Sequence, residues 1–251
     1  MTTWAALARD VGVLWDEAQD RPRLLRFLAP FGRPDLARLE RVLREATSER
    51  DVLAEPHPAF ATWLAALRFR SQPGERTTVD ELVPQGRTLL GSLEVRADLV
   101  IGENTTLVVA GHLRARIIDV RGVLVVAGDV EAQVLVADGC TLVGGDLRAA
   151  FVSAPATRLN VRVERRRVTA PQAFQVAGAV KAKVFDSARL GTGGPVEAEV
   201  LIHAIGAAPT EQWEQRLRSL LLEPALVHGG RLDFDGIRRR VERGQPVLRS
   251  A

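Results

Sequence analysis

The sequence predicts a mainly β protein with α-helical flanks, built on a short parallel β-solenoid of about seven 16–17-residue coils between Gly91 and about Ile205. Three observations carry that expectation: a recurring eight-residue string, a period-two alternation of apolar residues inside it, and a charged position whose sign alternates from copy to copy. Internal repeats of this kind define stacked architectures, because a unit too short to bury its own apolar face must bury it against the next.

The strings GHLRARII from Gly111, GDVEAQVL from Gly128, GDLRAAFV from Gly145, GAVKAKVF from Gly178 and GPVEAEVL from Gly194 share the order Gly, any, Leu or Val, charged, Ala, any, apolar, apolar. The first three begin 17 residues apart and the last two 16 apart, with 33 between Gly145 and Gly178. That wide interval predicts one degenerate coil from about Val161, carrying VRVERRRV in place of the consensus. GSLEVRAD from Gly91 is a first copy, set off by 20 residues and so by a longer loop. Within a copy, Val130, Ala132 and Val134 alternate as one face of a strand does. A second apolar strand precedes several of the glycines, as in TLVVAG, VLVVAG and TLVGG.

The fourth position reads Glu94, Arg114, Glu131, Arg148, Glu164, Lys181 and Glu197. In an in-register stack these residues form one column about 4.8 Å apart, where opposite charges contribute roughly 0.2–1 kcal/mol and like charges repel. The unbroken alternation predicts a structural charge ladder and places Glu164 in the degenerate coil. The fifth position is mostly alanine (Ala115, Ala132, Ala149, Ala182, Ala198), which implies a narrow interior. In the degenerate coil the same phase puts Arg165 and Arg167 inward. An unpaired buried arginine is costly, so a bulge or a register shift is expected to turn them out.

Residues 1–72 read as a helical region. Trp4, Leu7, Ala8, Val11, Leu14, Trp15 and Ala18 make a helical stripe with Thr2 or Thr3 as its cap; further helices are expected over Pro22–Phe31, Pro34 to about Ser48, and about Pro58 to Arg70. Residues 73–90 form a linker or lead-in, and 91–205 the solenoid. Residues 206–251 are again expected to be helical, with one helix opening at Pro209-Thr210-Glu211 and carrying Trp213, and another from about Asp235 to Arg243. Some of the tryptophans are expected to pack on the solenoid's open ends or on a lateral face.

Composition narrows the function. No apolar run reaches transmembrane length and the first residues lack a signal-peptide pattern, so a cytoplasmic protein without a transmembrane segment is expected. The single cysteine, Cys140, reads as a small buried apolar residue. Net charge is +3, with acids interspersed almost one for one with arginine, so no nucleic acid partner is expected. The triplets Arg165–Arg167 and Arg238–Arg240 are the only basic runs, and Arg165, Arg166 and Arg167 are candidate interaction residues. His57, His112, His203 and His228 lack metal-ligand spacing. Asp233-Phe234-Asp235-Gly236 is a fragment of a calcium loop, and Gly191-Thr192-Gly193-Gly194 lacks the Lys-Ser or Lys-Thr of a phosphate loop. No catalytic, cofactor or metal site is expected.

The coils GDVEAQVLVADGCTLVG and GDLRAAFVSAPA resemble those of bactofilins, bacterial polymer-forming cytoskeletal proteins with a right-handed β-helix core. The resemblance covers roughly residues 90–205. It implies a right-handed solenoid that self-associates end to end without nucleotide, whereas the helical segments at both ends depart from the family's bare solenoid. The expected function is a non-enzymatic scaffold that binds a protein partner or itself. An immunity or inhibitor protein with a single partner is the alternative, and a β-helix enzyme is a further one.

Overall fold

The structure is a computed structural model; it describes residues 3–55, 57–72, 74–154, 160–163, 166–169, 174–187 and 193–202, with 227–228, 231–232, 236, 239–240, 243 and 245. Five helices come first: α1 (Trp4–Gln19), α2 (Pro22–Leu28), α3 (Leu36–Glu45), α4 (Glu49–Leu53) and α5 (Pro58–Ser71). Their starts are written in the sequence. Thr3, Asp35 and Ser48 accept backbone N–H groups as N-caps, and Ser48 and Asp51 form a reciprocal capping box that starts the short α4, which periodicity alone does not reveal. Hydrogen bonds from Thr47 and Ser48 hold the Asp51 carboxyl below the usual carboxylate range.

A parallel β-solenoid of about six turns follows. One sheet has seven strands in the order β1 (Arg76–Val79), β3 (Ser92–Ile101), β5 (Leu113–Val120), β7 (Val130–Ala137), β9 (Leu147–Ala154), β13 (Val180–Ser187) and β14 (Val196–Ile202). The other has five, in the order β12 (Phe174–Val176), β8 (Cys140–Val143), β6 (Val123–Val126), β4 (Thr106–Val109) and β2 (Arg87–Leu90). Thus two strands already join the sheets within residues 76–90, ahead of the first Gly-x-Leu copy.

Inside β5 the side chains packed in the solenoid interior are Leu113, Ala115, Ile118 and Val120. The step of three between Ala115 and Ile118 is a change of phase: Arg116 drops out of the ladder on both sides and the strand bends there. Leu147, Ala149 and Val152 of β9 repeat this pattern. The 20-residue first interval has two sources. A register shift between Val95 and Asp98 adds a residue to β3, and the turn Gly102–Thr105 is longer than Arg121-Gly122.

Glycine marks the corners because adjacent coils touch there. A Cβ on Gly128 would lie 2.8 Å from the Gly111 oxygen, and one on Gly178 would lie 2.5 Å from the Gly145 oxygen. No side chain fits that spacing without separating the coils.

The wide interval resolves differently from the expectation. β13 pairs directly with β9, Lys181 against Arg148 and Ala182 against Ala149, so no coil lies between them. Asn160–Val163 and Arg166–Thr169 form an antiparallel pair of strands instead, β10 and β11, with Arg162 opposite Arg167. The seventh coil is therefore corrected to an insertion. The alternation in VRVERRRV serves a hairpin as well as a solenoid strand, and a stacked coil of that phase would carry the cost of inward arginines. Glu164 and Arg165 lie outside the described residues.

The helices cover one lateral face. Val108, Val123, Val125, Cys140 and Leu142, on the outer side of the five-stranded sheet, share one apolar cluster with Leu7, Phe27, Leu43, Trp63 and Leu64 of the helices. α5 crosses β4 and β6 and lies beneath α1 and α2, so it is apolar nearly all round, with Phe60–Leu67 buried. Trp63 is buried against Trp15, ring centroids 6.0 Å apart, and its Nε1 donates to the Leu28 carbonyl at 2.9 Å. Among the described residues no helix is long and apolar enough to cross a membrane. Of the segments expected to be helical at the C-terminus, 209–221 lies outside the described residues. Val227–His228 and Arg231–Leu232 form a short antiparallel pair, β15 and β16, and Gly236, Arg239 and Arg240 are helical.

Candidate interaction surfaces

The first half of each strand in the seven-stranded sheet turns its outer side to solvent. There the register places Glu94, Arg114, Glu131, Arg148, Lys181 and Glu197 in one column, strand beside strand. Arg114 and Glu131 approach to 3.6 Å and Lys181 and Glu197 to 3.7 Å, while Glu94 is bonded by Arg76 from β1. The ladder expected from sequence is thus assembled with one correction. Glu164 does not separate Arg148 from Lys181, because β13 stacks on β9, so two cations are adjacent. Arg148 makes no ion pair among the described residues. The ladder pairs are exposed, and each contributes no more than about 1 kcal/mol.

A shallow concavity of about 600 Å³ opens along this column, floored by alanines including Ala149 and Ala150 and walled by Arg148 and Lys181. Nearer the first coil the face is closed by further pairs, Arg96 with Asp80 at 3.2 Å and Arg116 with Asp98 at 2.9 Å. Arg166 and Arg167, proposed from sequence as interaction residues, fall on β11 of the inserted hairpin rather than in a coil.

A second column went unread in the sequence. The residue after each corner glycine accepts a backbone N–H from the next coil: Ser92 Oγ from His112, His112 Nδ1 from Asp129, Asp129 Oδ1 from Asp146, and Asp146 Oδ1 from Ala179, at 2.8–3.1 Å. Each bond satisfies a corner amide that the sheets leave unpaired. The visible signal was the short polar residue in Gly-Ser, Gly-His and Gly-Asp. Phe69 of α5 packs edge-on against His112, ring centroids 5.5 Å apart, and Arg23 of α2 reaches Asp146 at 3.2 Å, so this corner also anchors the helices.

Burial pushes the Cys140 thiol up to about 12, which leaves it protonated and packed under the helices rather than nucleophilic. Gly193 and Gly194 sit at corners against Ala177 and Gly178, which gives these two glycines a packing role, while Gly191 and Thr192 lie outside the described residues. Among the described residues no three His, Cys, Asp or Glu side chains gather as metal ligands.

These features define a parallel β-solenoid with one helix-covered face and one open, charged face. No protein-family model, curated protein or solved structure matches the chain.

Proposed function

We propose that this chain is a non-enzymatic assembly scaffold that associates through the ends of its solenoid, as the bactofilin resemblance of its coils implies. The observation that supports the reading is the state of the two terminal strands of the seven-stranded sheet. Among the described residues β1 and β14 each pair on one side only in the sheet order, and Val79, Val196 and Ala198, which pack against the interior cluster, stay only partly buried. An unpaired strand over a partly exposed core is a template for another strand. A second copy stacked in register would extend the core, with Glu197 meeting the Thr78 position of β1.

Light scattering over a wide concentration range tests this. The weight-average mass should grow with concentration, and Thr78→Pro, which disrupts pairing at the first edge, should arrest the growth. A monomer at every concentration overturns assembly. It leaves binding of one protein partner, in the manner of an inhibitor or immunity protein, and an open groove of about 590 Å³ between α1, α2 and α5 favours that second reading. The groove is lined by Leu24, Phe27 and Phe69 and rimmed by Arg23 and Arg70.

A further inference from the structure

The helical layer holds a pocket to which, among the described residues, none of the solenoid contributes. It occupies about 260 Å³ between the loop after α2 and the first turns of α3 and α5. Phe31, Leu39, Phe60 and Trp63 supply apolar surface, and Arg33, Asp35, Arg38, Glu55 and His57 supply the polar groups. Ligand sites typically span roughly 300–1,000 Å³ and combine apolar walls with a few polar groups, so this one suits a small ligand or a single large side chain.

Most of those polar groups are already engaged. Trp63 Nε1 donates to the Leu28 carbonyl. Asp35 Oδ1 caps α3 by accepting from the Arg38 amide at 3.0 Å. Both Glu55 oxygens accept from Arg38 Nη2 at 2.9 Å, and the Glu55 side chain is only 11% exposed. His57 Nδ1 accepts the Ala59 amide at 3.2 Å, so on the neutral ring Nε2 carries the proton and is free to donate. Arg33 has no ion pair or hydrogen bond among the described residues. Glu55 is thus paired by Arg38 and Asp35 is committed through one oxygen to its cap, while one whole guanidinium and the His57 Nε2–H remain available.

The backbone adds the same sign. α3, with 10 residues, and α5, with 14, both begin at this pocket, so the positive ends of two helix dipoles meet there. Desolvation pushes His57 below its ordinary value, opposed by Glu55 and assisted by Arg38, even though the ring keeps an exposed edge. Near neutral pH the ring is therefore a donor without a charge.

We propose that this pocket binds an apolar acid: a compact aromatic or branched body against Phe31, Phe60 and Trp63, with its carboxylate held by Arg33 and His57. The acid is either a free small molecule or the C-terminal residue of a peptide, since both offer the same carboxylate and body. The site is independent of solenoid assembly, because none of its lining residues lies in a coil.

Calorimetric titration of the full chain tests this with benzoate, phenylacetate and N-acetyl-Gly-Phe, each beside its neutral amide. Each acid that binds should do so at least tenfold more tightly than its amide. Arg33→Ala should weaken it at least fivefold at unchanged thermal stability, because Arg33 lies exposed in a loop. Ala59→Phe, which fills the pocket, should remove binding. Tighter binding of the peptide than of the two small acids assigns the ligand as a chain terminus, and the reverse order assigns it as a free acid. No binding by any acid, equal binding of acids and amides, or an affinity indifferent to Arg33→Ala overturns the proposal.

Discussion

The two sheets of the solenoid share one backbone plan and differ in what their outer sides carry. On the five-stranded sheet the outward residues include Leu89, Val108, Val123, Val125, Cys140 and Leu142, which are buried beneath helices. Along the first halves of the strands of the seven-stranded sheet they are Glu94, Arg114, Glu131, Arg148, Lys181 and Glu197, most of them exposed. A strand covered on both faces reads as a continuous apolar run, as VLVV of β6 does, whereas a strand covered on one face alternates, as LRAR of β5 does. The difference between them fixes where the helices pack and where a partner has access.

The largest expected effect comes from exchanging the two chemistries. Val125→Glu would bury a charge with no partner under α5 and should cost more than about 3 kcal/mol, enough to unfold a marginal domain. Arg148→Gln on the open sheet should change stability by less than about 0.5 kcal/mol. Urea denaturation of both variants measures the contrast, and similar losses would mean that the faces are misassigned.

The corners belong to both sheets, so a change there should damage both. Gly128→Ala would place a Cβ 2.8 Å from the Gly111 oxygen and 2.8 Å from His112 Nδ1, and should cost about 1–3 kcal/mol. Gly12→Ala in α1, where nothing lies within 4 Å of the added Cβ, should instead stabilise by roughly 0.5–1 kcal/mol. Thermal unfolding should therefore shift in opposite directions for the same substitution.

Smaller effects refine the open face. Glu131→Lys puts four cations in sequence, Arg114 to Lys181, and should destabilise by some tenths of a kcal/mol up to about 1, more at low salt. Exchanging the last pair, Lys181→Glu with Glu197→Lys, restores alternation after Arg148 and should stabilise slightly, an effect that added salt removes. Were Glu164 stacked between Arg148 and Lys181, the same exchange would destabilise. Its sign therefore reports whether β13 sits on β9.

The smallest effect lies on the helical side. His57 titrates below its ordinary value of 6.5 in the folded chain, so below that pH the unfolded state binds more protons. Its contribution to stability is complete above pH 6.5 and is lost as the pH falls toward the lowered folded value. Replacement by asparagine, which can still cap α5, should flatten that part of a stability-against-pH curve.

Much of this was legible before the structure. The alternation of Val130, Ala132 and Val134, the corner glycines and the stripe from Leu7 to Ala18 are local patterns, and each became the expected element. The start of the stack was less legible, since Arg76–Val79 has neither the glycine nor the Gly-x-Leu string and is a strand because β3 offers it a partner. The polar corner column was overlooked because Ser92, His112, Asp129 and Asp146 share a geometric role without sharing a residue type. The helical pocket was hidden for a similar reason: Arg33, Arg38, Glu55 and His57 come from two helix starts and a loop, and no spacing in the chain links them.

The sequence by itself determined the phase of every regular coil, because side-chain alternation and the need for glycine at a crowded corner act within a few residues. It also determined a column of charges as soon as coils of known phase were stacked. Only the tertiary structure decided which strand follows which. Parallel pairing joins segments 16 or more residues apart, and a strand's own pattern does not name its neighbour. VRVERRRV satisfies the period of a solenoid strand and of a hairpin equally. A stacked coil of that phase would carry the cost of inward arginines; the observed pairing of β13 with β9 sets Arg148 beside Lys181 and interrupts in space an alternation that is unbroken along the chain.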